Sequence, residues 1–312
     1  MKAIVQERDS PSDYGNAIRD AKIATLSRTF RAFVRDGGAS ERDGESSRRA
    51  LGRFVSVAIA GMHRSGTSLV AQALRSCGLY LGDESALIGP DEHNPAGYWE
   101  HRDIVQLNDR ILARLGGSWE SPPAHPVSWP DYERLSDLRN EARSILDGEF
   151  AGAEHWGWKD PRNSLTLPFW LELEPDLLVV MCVRNPLEVA ESLDRRGSYT
   201  RAFSLRLWQL YTERLLAAAP PRRTIVTHYN AWFADPSGEA ARVARFLGLA
   251  PDEASLDAVA SLVKPSLRNH LATTAELEEV WPSGYLVDIY RELCRVESNA
   301  ELMAPAKSEE AA

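Results

Sequence analysis

The sequence predicts an α/β fold in which a mainly parallel central sheet is flanked by helices. Two observations indicate this class: short β-branched runs alternate with longer segments of helical periodicity, and two of the runs end abruptly where a helix begins. With 312 residues, 44% of them hydrophobic, the chain is long enough for one large domain. We expect this domain at residues 51–303, after a polar extension at 1–50 that is partly helical or flexible, and before a disordered tail at 304–312.

The first junction, residues 54–74, has the arrangement with which chains hold a phosphate. An apolar run leads into a turn framed by Gly61 and Gly66, after which apolar residues recur at helical spacing. Amides at the start of that helix would be unpaired, and the helix dipole and nearby hydroxyls favour an anionic oxygen there. The predicted anion ligands are His63, Arg64, Ser65, Gly66, Thr67 and Ser68. An ordinary strand-to-helix turn is the alternative.

This turn is similar to a P-loop but departs from it in one respect. The two glycines have the P-loop spacing, whereas the lysine expected after Gly66 is replaced by Thr67. Arg64 supplies a positive charge instead. The architecture is therefore P-loop-like, and we do not expect its ligand to be an ordinary triphosphate with magnesium.

The second junction, residues 177–193, places another cation at a strand end. Its apolar run ends at Arg184, and Pro186 stands where the first residue of a helix should be. Ser192 lies about two helical turns further, on the face that can look back toward the strand end. One cation and one hydroxyl should converge, unless Arg184 is only a surface charge.

Later segments continue the alternation. Residues 224–229 form another short β run, and helical patterns follow at 238–247, 254–263 and 285–295. Residues 116–130 are rich in glycine and proline and contain two tryptophans, so they predict either a lid or substrate wall, or a surface loop pinned to the core.

On the residues of these two junctions, the chain resembles the sulfotransferase family, whose members use 3′-phosphoadenosine 5′-phosphosulfate (PAPS) as the sulfuryl donor. In that family a loop similar to 61–68 binds the 5′-phosphosulfate end, and an arginine followed eight residues later by a serine, as at Arg184 and Ser192, binds the 3′-phosphate. The resemblance covers roughly residues 54–270. It implies a P-loop-like fold of the sulfotransferase and nucleotide-kinase kind, PAPS as cofactor, adenosine 3′,5′-bisphosphate (PAP) as product, and no metal.

Other segments both extend and limit this resemblance. WKDPR at 158–162 looks like the lysine-containing segment of the Golgi-type and tyrosylprotein branches, and RFLGL at 245–249 resembles the late helix ending of the family. The loop PKSGTTW of the cytosolic branch is replaced by HRSGTSL at 63–69, and the late RKG element is missing. VKPSLRNH at 263–270 would take over the role of that element, with Arg268 as the phosphate ligand.

Sulfuryl transfer needs in-line placement, cations where negative charge accumulates, and a base for the acceptor proton. Arg64 and Lys159 are the candidates for the cations, and Lys159 is the only lysine between Lys22 and Lys264. A compact ammonium suits a bridging oxygen, although a salt bridge from Lys159 to Asp160 or Glu154 is the alternative.

The first candidate for the base is Glu100. Apolar residues at helical spacing follow it, so it lies near a helix N-terminus, where an ionised carboxylate is favoured. It could instead only complement the helix dipole. Asp83 is the second candidate, because its distance from Arg64 in the sequence is similar to that of the base in the tyrosylprotein branch. His101 is the third, and His63 is expected to be structural.

Composition restricts the partners and the compartment. The net charge of −9 argues against nucleic acid as a partner. Three widely spaced cysteines suggest neither zinc nor disulfides, and no apolar stretch reaches the ~20 residues of a membrane helix. The first eight residues lack the apolar core of a secretion signal, so we expect a cytoplasmic protein.

The acceptor is the least determined partner. Tryptophans lie in and around the segments already described, and aromatic faces suit sugars, phenols or aromatic peptide groups. The combined pattern GMHRSGTS, NPxGYWE and KDPR looks most like bacterial sulfotransferases that modify carbohydrates. The predicted function is therefore transfer of a sulfuryl group from PAPS to a small-molecule or glycan acceptor, a carbohydrate or glycoconjugate hydroxyl, with a carboxylate base. An ATP-dependent small-molecule kinase and a catalytically inactive nucleotide-binding partner protein are the alternatives.

Overall fold

The computed structural model describes residues 54–92, 94, 96–123, 132–197, 199–264, 271–281 and 284–302, with side chains as far as residue 295. The extension expected at 1–50 and the tail expected at 304–312 lie outside the described residues, as does Arg268. The predicted domain boundaries therefore remain predictions.

A parallel four-stranded sheet forms the centre of the described chain. Its strands are β1 (Val55–Ala60), β2 (His155–Lys159), β3 (Leu178–Val183) and β4 (Thr224–His228), in the order β2-β1-β3-β4. All three strand pairs are parallel. The predicted α/β class is confirmed.

Eleven α-helices in the described residues connect and flank these strands: α1 (Thr67–Ser76), α2 (Arg102–Arg114), α3 (Ser136–Glu149), α4 (Asn163–Leu173), α5 (Pro186–Gly197), α6 (Arg201–Ala218), α7 (Ala231–Ala234), α8 (Pro236–Leu247), α9 (Glu253–Leu262), α10 (Thr274–Val280) and α11 (Tyr285–Leu302). Helix α5 begins at Pro186, as predicted, because proline has no amide hydrogen to lose at the first helical position. The three late helical patterns correspond to α8, α9 and α11. No described helix is both long enough and apolar enough to cross a membrane.

The sheet is covered on both faces, which explains why its strands are almost continuously apolar. On one face Val57 and Ile59 pack with residues of α1 and α8. On the other, Ala58 and Val179 belong to a larger cluster that contains Trp158, Trp170 and Trp208. Every residue of β3 is buried, so this central strand anchors the sheet.

Strand register brings the functional segments to one edge of the sheet. Ile59 is paired with Lys159, and Val183 is paired with His228, so all four strands end near the same level. The carboxyl ends of parallel strands form the usual ligand-binding crevice of such folds. Residues 61–68, which we call the phosphate loop, therefore leave the sheet on the same side as Lys159 and Arg184.

Candidate active site

Two glycines shape the phosphate loop between β1 and α1. Gly61 has φ 144°, and a Cβ added to it would lie 2.4 Å from the Cys182 carbonyl oxygen. Gly66 has φ 89°, and its Cβ would lie 2.4 Å from the ring of Tyr229. A side chain at either position would require both a disfavoured backbone conformation and movement of a neighbour. The loop thus needs glycine at both positions that frame it.

The loop also contains buried polar atoms that suit an anion. Ser65 Oγ and His63 Nε2 are both buried without a hydrogen-bond partner among the described residues. Because α1 begins at Thr67, the amides of its first turn have no helical carbonyl to bond. Unpaired buried donors are costly, so a ligand oxygen would complete them. The amides of the first turn and the Ser65 hydroxyl therefore suit an anionic ligand.

A side-chain hydrogen bond joins the two predicted junctions. Arg64 Nε donates to Ser192 Oγ at 2.9 Å, and Arg184 Nη1 donates to the Arg64 carbonyl oxygen at 3.1 Å. Arg64 has φ 68°, an uncommon value for a residue with a side chain. The loop and the start of α5 thus form one continuous surface at the end of the sheet.

Arg184 is held from several sides. Its Nε donates to Glu188 Oε2 at 2.8 Å, and its guanidinium carbon lies 4.1 Å from the centre of the Tyr229 ring. Both Arg184 and Glu188 are buried, and the Arg184 carbonyl accepts a hydrogen bond from Trp208. A buried arginine fixed in this way can present its remaining donors in one geometry.

A third guanidinium, that of Arg196, lies near those of Arg64 and Arg184. Burial lowers the pKa of Arg64, and the charges of Arg196 and then Arg184 lower it further. Arg196 Nη2 donates to the Tyr98 hydroxyl at 2.7 Å. Among the described residues, neither Arg64 nor Arg196 forms an ion pair with a carboxylate. The cluster therefore has uncompensated positive charge, which favours an anionic ligand.

Lys159, the last residue of β2, provides a buried ammonium beside the loop. Its Nζ donates to Glu100 Oε1 at 2.6 Å, to the Tyr98 carbonyl oxygen at 3.0 Å and to Ser68 Oγ at 3.2 Å. Both charges are almost fully buried. Glu100 thus reaches the phosphate loop through Lys159.

The three candidate bases occupy different surroundings. Glu100 is buried against Lys159. Asp83 is exposed, and hydrogen bonds from the backbone and hydroxyl of Ser85 lower its pKa. His101 is buried with its Nε2 3.7 Å from Glu149 Oε2. Of the three, only Glu100 has a described contact with Lys159, which in turn binds Ser68.

His63 packs against two aromatic rings. Its ring lies 4.5 Å from that of Trp119 and 5.8 Å from that of Tyr211. Burial holds its pKa well below the usual value, and the nearby cations, led by Arg162 and Lys159, lower it further. The imidazole is therefore neutral near pH 7.

Comparison with known proteins decides the family. The model of a family described as the sulfotransferase family matches residues 56–253, more than half of the chain. The chain belongs to the sulfotransferase family. It is therefore an enzyme of the sulfuryl-transfer class, and the resemblance predicted from the sequence is confirmed.

Several solved sulfotransferase structures are similar to this one. Sulfotransferase STF1 from Mycobacterium tuberculosis H37Rv is 17% identical, with 80% of this chain and 81% of that chain covered and a TM-score of 0.44. A sulfotransferase from Alicyclobacillus acidocaldarius is 16% identical over 78% and 96% of the two chains, with a TM-score of 0.43. Retinol dehydratase, solved with androsterone and the inactive cofactor PAP, is 16% identical over 83% of each chain, with a TM-score of 0.35. No curated protein matches this sequence significantly.

Some site residues of this sulfotransferase were missed by the sequence reasoning. Tyr229 directly follows β4, so the rule that located Arg184 at a strand end could also have found it. Arg196 lies four residues after Ser192, one helical turn along the same face. Tyr98 carried no such signal, because it lies in an irregular loop whose path is set by tertiary contacts.

The structure bears on two alternatives that the sequence left open, the salt bridge of Lys159 and the attachment of the loop at 116–130. Lys159 forms a salt bridge, but its partner is Glu100, whereas Asp160 is bound by Asn108 and Arg162. In the loop expected at 116–130, the described part is attached to the protein body: Tyr211 donates to the Trp119 carbonyl oxygen at 2.9 Å, and Trp119 packs on the core. Residues 124–130 lie outside the described part of the chain.

Proposed function

We propose that this sulfotransferase moves the sulfuryl group of PAPS to a hydroxyl of a carbohydrate or glycoconjugate by in-line displacement. The observation that carries the proposal is the 2.9 Å hydrogen bond between Arg64 and Ser192, because it unites the phosphate loop and the start of α5 in one anion site. A nucleotide with phosphates at both ends of its ribose needs such a double site.

The donor would lie across both parts of this site. The amides and hydroxyls of residues 65–68 would bind the phosphosulfate end, and Arg184 with Ser192 would bind the 3′-phosphate. Arg268 stays a predicted ligand. In its support, the described residue Ala272 is hydrogen-bonded to Glu188 and Asn185, next to Arg184.

Lys159 and Arg64 would stabilise the charge that develops during transfer. Negative charge accumulates on the oxygen that leaves the sulfur and on the moving group itself. Lys159 binds Ser68 and lies at the end of β2, next to the loop that would hold this oxygen. Its three rotatable donors can follow the charge as the bond to the donor breaks.

Glu100 would accept the proton of the acceptor hydroxyl. The acceptor oxygen forms a bond to sulfur, the bond between sulfur and the 5′-phosphate oxygen breaks, and the proton passes to the Glu100 carboxylate. PAP is the leaving group. The 2.6 Å contact with Lys159 supports this role, since it places the base beside the charge-stabilising cation.

Location in the cytoplasm also remains a prediction. Cys77, Cys182 and Cys294 form no disulfide in the described part of the chain, which suits a reducing compartment.

A thermal-shift titration separates the proposal from an ATP-dependent kinase. PAP without added metal should raise the melting temperature, because a ligand that binds only the folded state stabilises it by mass action. Stabilisation by ATP with magnesium but not by PAP would contradict the donor assignment. Sulfation of any acceptor by radiolabelled PAPS would exclude an inactive nucleotide-binding partner.

Substitution of Arg184 tests where PAP binds. Arg184→Ala should raise the Kd for PAP by about tenfold or more, since charged hydrogen bonds contribute on the order of 1.5–3 kcal/mol. Arg195→Ala is the control, because Arg195 lies in α5, the helix that follows Arg184, but is exposed and near Glu191. Isothermal calorimetry should find an unchanged Kd for the control. Equal Kd values for both variants would place the 3′-phosphate elsewhere.

A further inference from the structure

A row of four rings leads from the phosphate loop to the protein surface. The ring centres are 4.5 Å apart for His63 and Trp119, 6.0 Å for Trp119 and Tyr199, and 5.6 Å for Tyr199 and Phe203. We call these four residues the aromatic row. His63 is 9% exposed and Phe203 is 37% exposed, with the other two rings between these extremes. The row therefore connects a buried position with solvent.

The inner end of the row, His63, lies in the phosphate loop and directly precedes Arg64. Arg64 turns toward Ser192, whereas the preceding residue, His63, packs against Trp119. Lys159 and Arg162 are among the charges that act on His63, and Lys159 is paired with the proposed base, Glu100. The row thus begins in the loop that would hold the phosphosulfate end of PAPS, which an acceptor hydroxyl must approach.

His63 brings an unused hydrogen-bonding atom to this position. Its Nε2 is buried and has no partner among the described residues. A buried imidazole nitrogen without a hydrogen-bond partner is unfavourable, and a bound hydroxyl would supply that partner. A neutral imidazole has one donor and one acceptor nitrogen. His63 can therefore form a hydrogen bond with an acceptor hydroxyl while Glu100 accepts the proton.

The rest of the row is held in place by its neighbours. Tyr211 donates to the Trp119 carbonyl oxygen at 2.9 Å, and Tyr199 is hydrogen-bonded to Glu120. Phe203 lies at the start of α6, near the Thr200 cap. Rings fixed in this way form a wall with little conformational entropy left to lose on binding.

We propose that the aromatic row is the acceptor-binding wall of the enzyme and that it selects a neutral oligosaccharide of at least two sugar residues. This inference rests on the proposed function. The reacting sugar stacks on Trp119 with one hydroxyl at His63 Nε2, and the following sugar lies against the stacked pair of Tyr199 and Phe203. Sugar rings have apolar faces that stack on aromatic rings and hydroxyls at their edges that need polar partners, and the row offers both.

The first experiment asks which acceptors the enzyme uses. Radiolabelled PAPS is supplied with neutral mono-, di- and trisaccharides of glucose, galactose, mannose and N-acetylglucosamine, and with p-nitrophenol. We expect at least one di- or trisaccharide to have a kcat/KM about tenfold or more above that of its monosaccharide. Failure to sulfate any of these oligosaccharides, or a preference for the monosaccharide or the phenol, would overturn the proposal.

The second experiment uses variants along the row with the best oligosaccharide. Trp119→Ala and Phe203→Ala should raise the acceptor KM, about tenfold for the inner ring and about threefold for the outer one. Phe54→Ala is the control for Phe203→Ala, because Phe54 is a phenylalanine with 62% exposure outside the row. His63→Gln should retain more of the acceptor kcat/KM than His63→Leu, since only glutamine restores a hydrogen bond.

Calorimetric titration with PAP separates this proposal from the proposed function. The Trp119→Ala and Phe203→Ala variants should bind PAP within about twofold of wild type, so that the loss concerns the acceptor. Unchanged acceptor KM values in Trp119→Ala and Phe203→Ala would overturn the aromatic row while leaving the donor assignment intact. If wild type fails to bind PAP, the proposed function itself is wrong.

Discussion

Two buried cations in this protein are each paired with a buried carboxylate. Lys159 is paired with Glu100, and Arg184 is paired with Glu188, with all four side chains buried. Removing one member of a buried pair leaves the other uncompensated, which typically costs about 3–5 kcal/mol. Substitutions that test chemistry here must therefore preserve shape and hydrogen bonding.

Glu100→Gln meets this requirement, because its amide oxygen can still accept a hydrogen bond from Lys159. We expect kcat to fall by about 10²–10⁴-fold, the range of a general base, while the Kd for PAP stays nearly the same. Turnover with radiolabelled PAPS and calorimetry with PAP measure the two quantities.

Asp83→Asn is the matched control for this prediction, since Asp83 is exposed and is bound by Ser85. It should retain wild-type kcat. An active Glu100→Gln variant would transfer the role of base to Asp83 or His101.

Gly61→Ala should destabilise the protein at the end of β1. The new Cβ would meet the Cys182 carbonyl oxygen at 2.4 Å, between two paired central strands. We expect a loss of about 2 kcal/mol or more in the free energy of unfolding, measured by urea denaturation. Gly148→Ala in α3 has open space and should be neutral or slightly stabilising. Equal effects of the two substitutions would contradict the close approach.

At the scale of elements, the late helix α11 packs against β4, the last strand of the sheet. His228, the last residue of β4, is hydrogen-bonded through Nε2 to the Leu293 carbonyl oxygen of α11. Burial lowers the pKa of His228 to about 4, although its hydrogen bond to Leu293 raises it. This neutral histidine couples the docking of α11 to pH.

The sign of the pH effect follows from proton binding. Below a pH of about 6.5 the unfolded chain protonates this histidine, whereas the folded protein takes up the proton only near pH 4. The contribution of neutral His228 to the free energy of unfolding is therefore complete above about pH 6.5. It is lost as the pH falls toward 4, by up to about 1.4 kcal/mol per pH unit.

His228→Gln should remove this dependence, because glutamine can donate to Leu293 without titrating. Urea unfolding of wild type and variant between pH 7 and 4.5 measures it. The difference in free energy of unfolding between the two proteins should shift in favour of the variant as the pH falls. A difference that is constant with pH would contradict the buried neutral state of His228.

At the scale of the whole molecule, a cationic site is set in an acidic protein. The chain has a net charge of −9, yet Arg64, Arg184, Arg196 and Lys159 are gathered at one edge of the sheet. A net negative charge disfavours contact with nucleic acid in general, whereas a local group of cations favours a small anionic ligand.

Binding of PAP should therefore weaken with salt. We expect its Kd to rise by on the order of three- to tenfold between 0.05 and 0.5 M NaCl, since the Debye length shortens from more than ~10 Å to less than ~8 Å. The rise should be smaller in Arg184→Ala, which has one charge fewer at the site. Calorimetry across the salt series measures both, and an affinity independent of salt would show that charge plays little part in binding.

Local patterns in the sequence were enough to predict the fold class and the two strand-to-helix junctions. Buried parallel strands are continuous apolar runs, and the residues at their ends are forced into the same crevice. For this reason the sequence alone predicts that Arg64 and Arg184 lie close together. The family resemblance, which depended on the same segments, was confirmed by the family match.

Only the tertiary structure decided which side chains meet across long stretches of chain. The partner of Lys159 is 59 positions away at Glu100, and Arg64 is bound to a serine 128 positions away. The loop path that brings Tyr98 over Lys159, and the packing of Trp119 on His63, have no periodicity that a sequence could reveal. Short-range spacing determines where strands end and helices begin, but contacts between loops depend on how the whole chain packs.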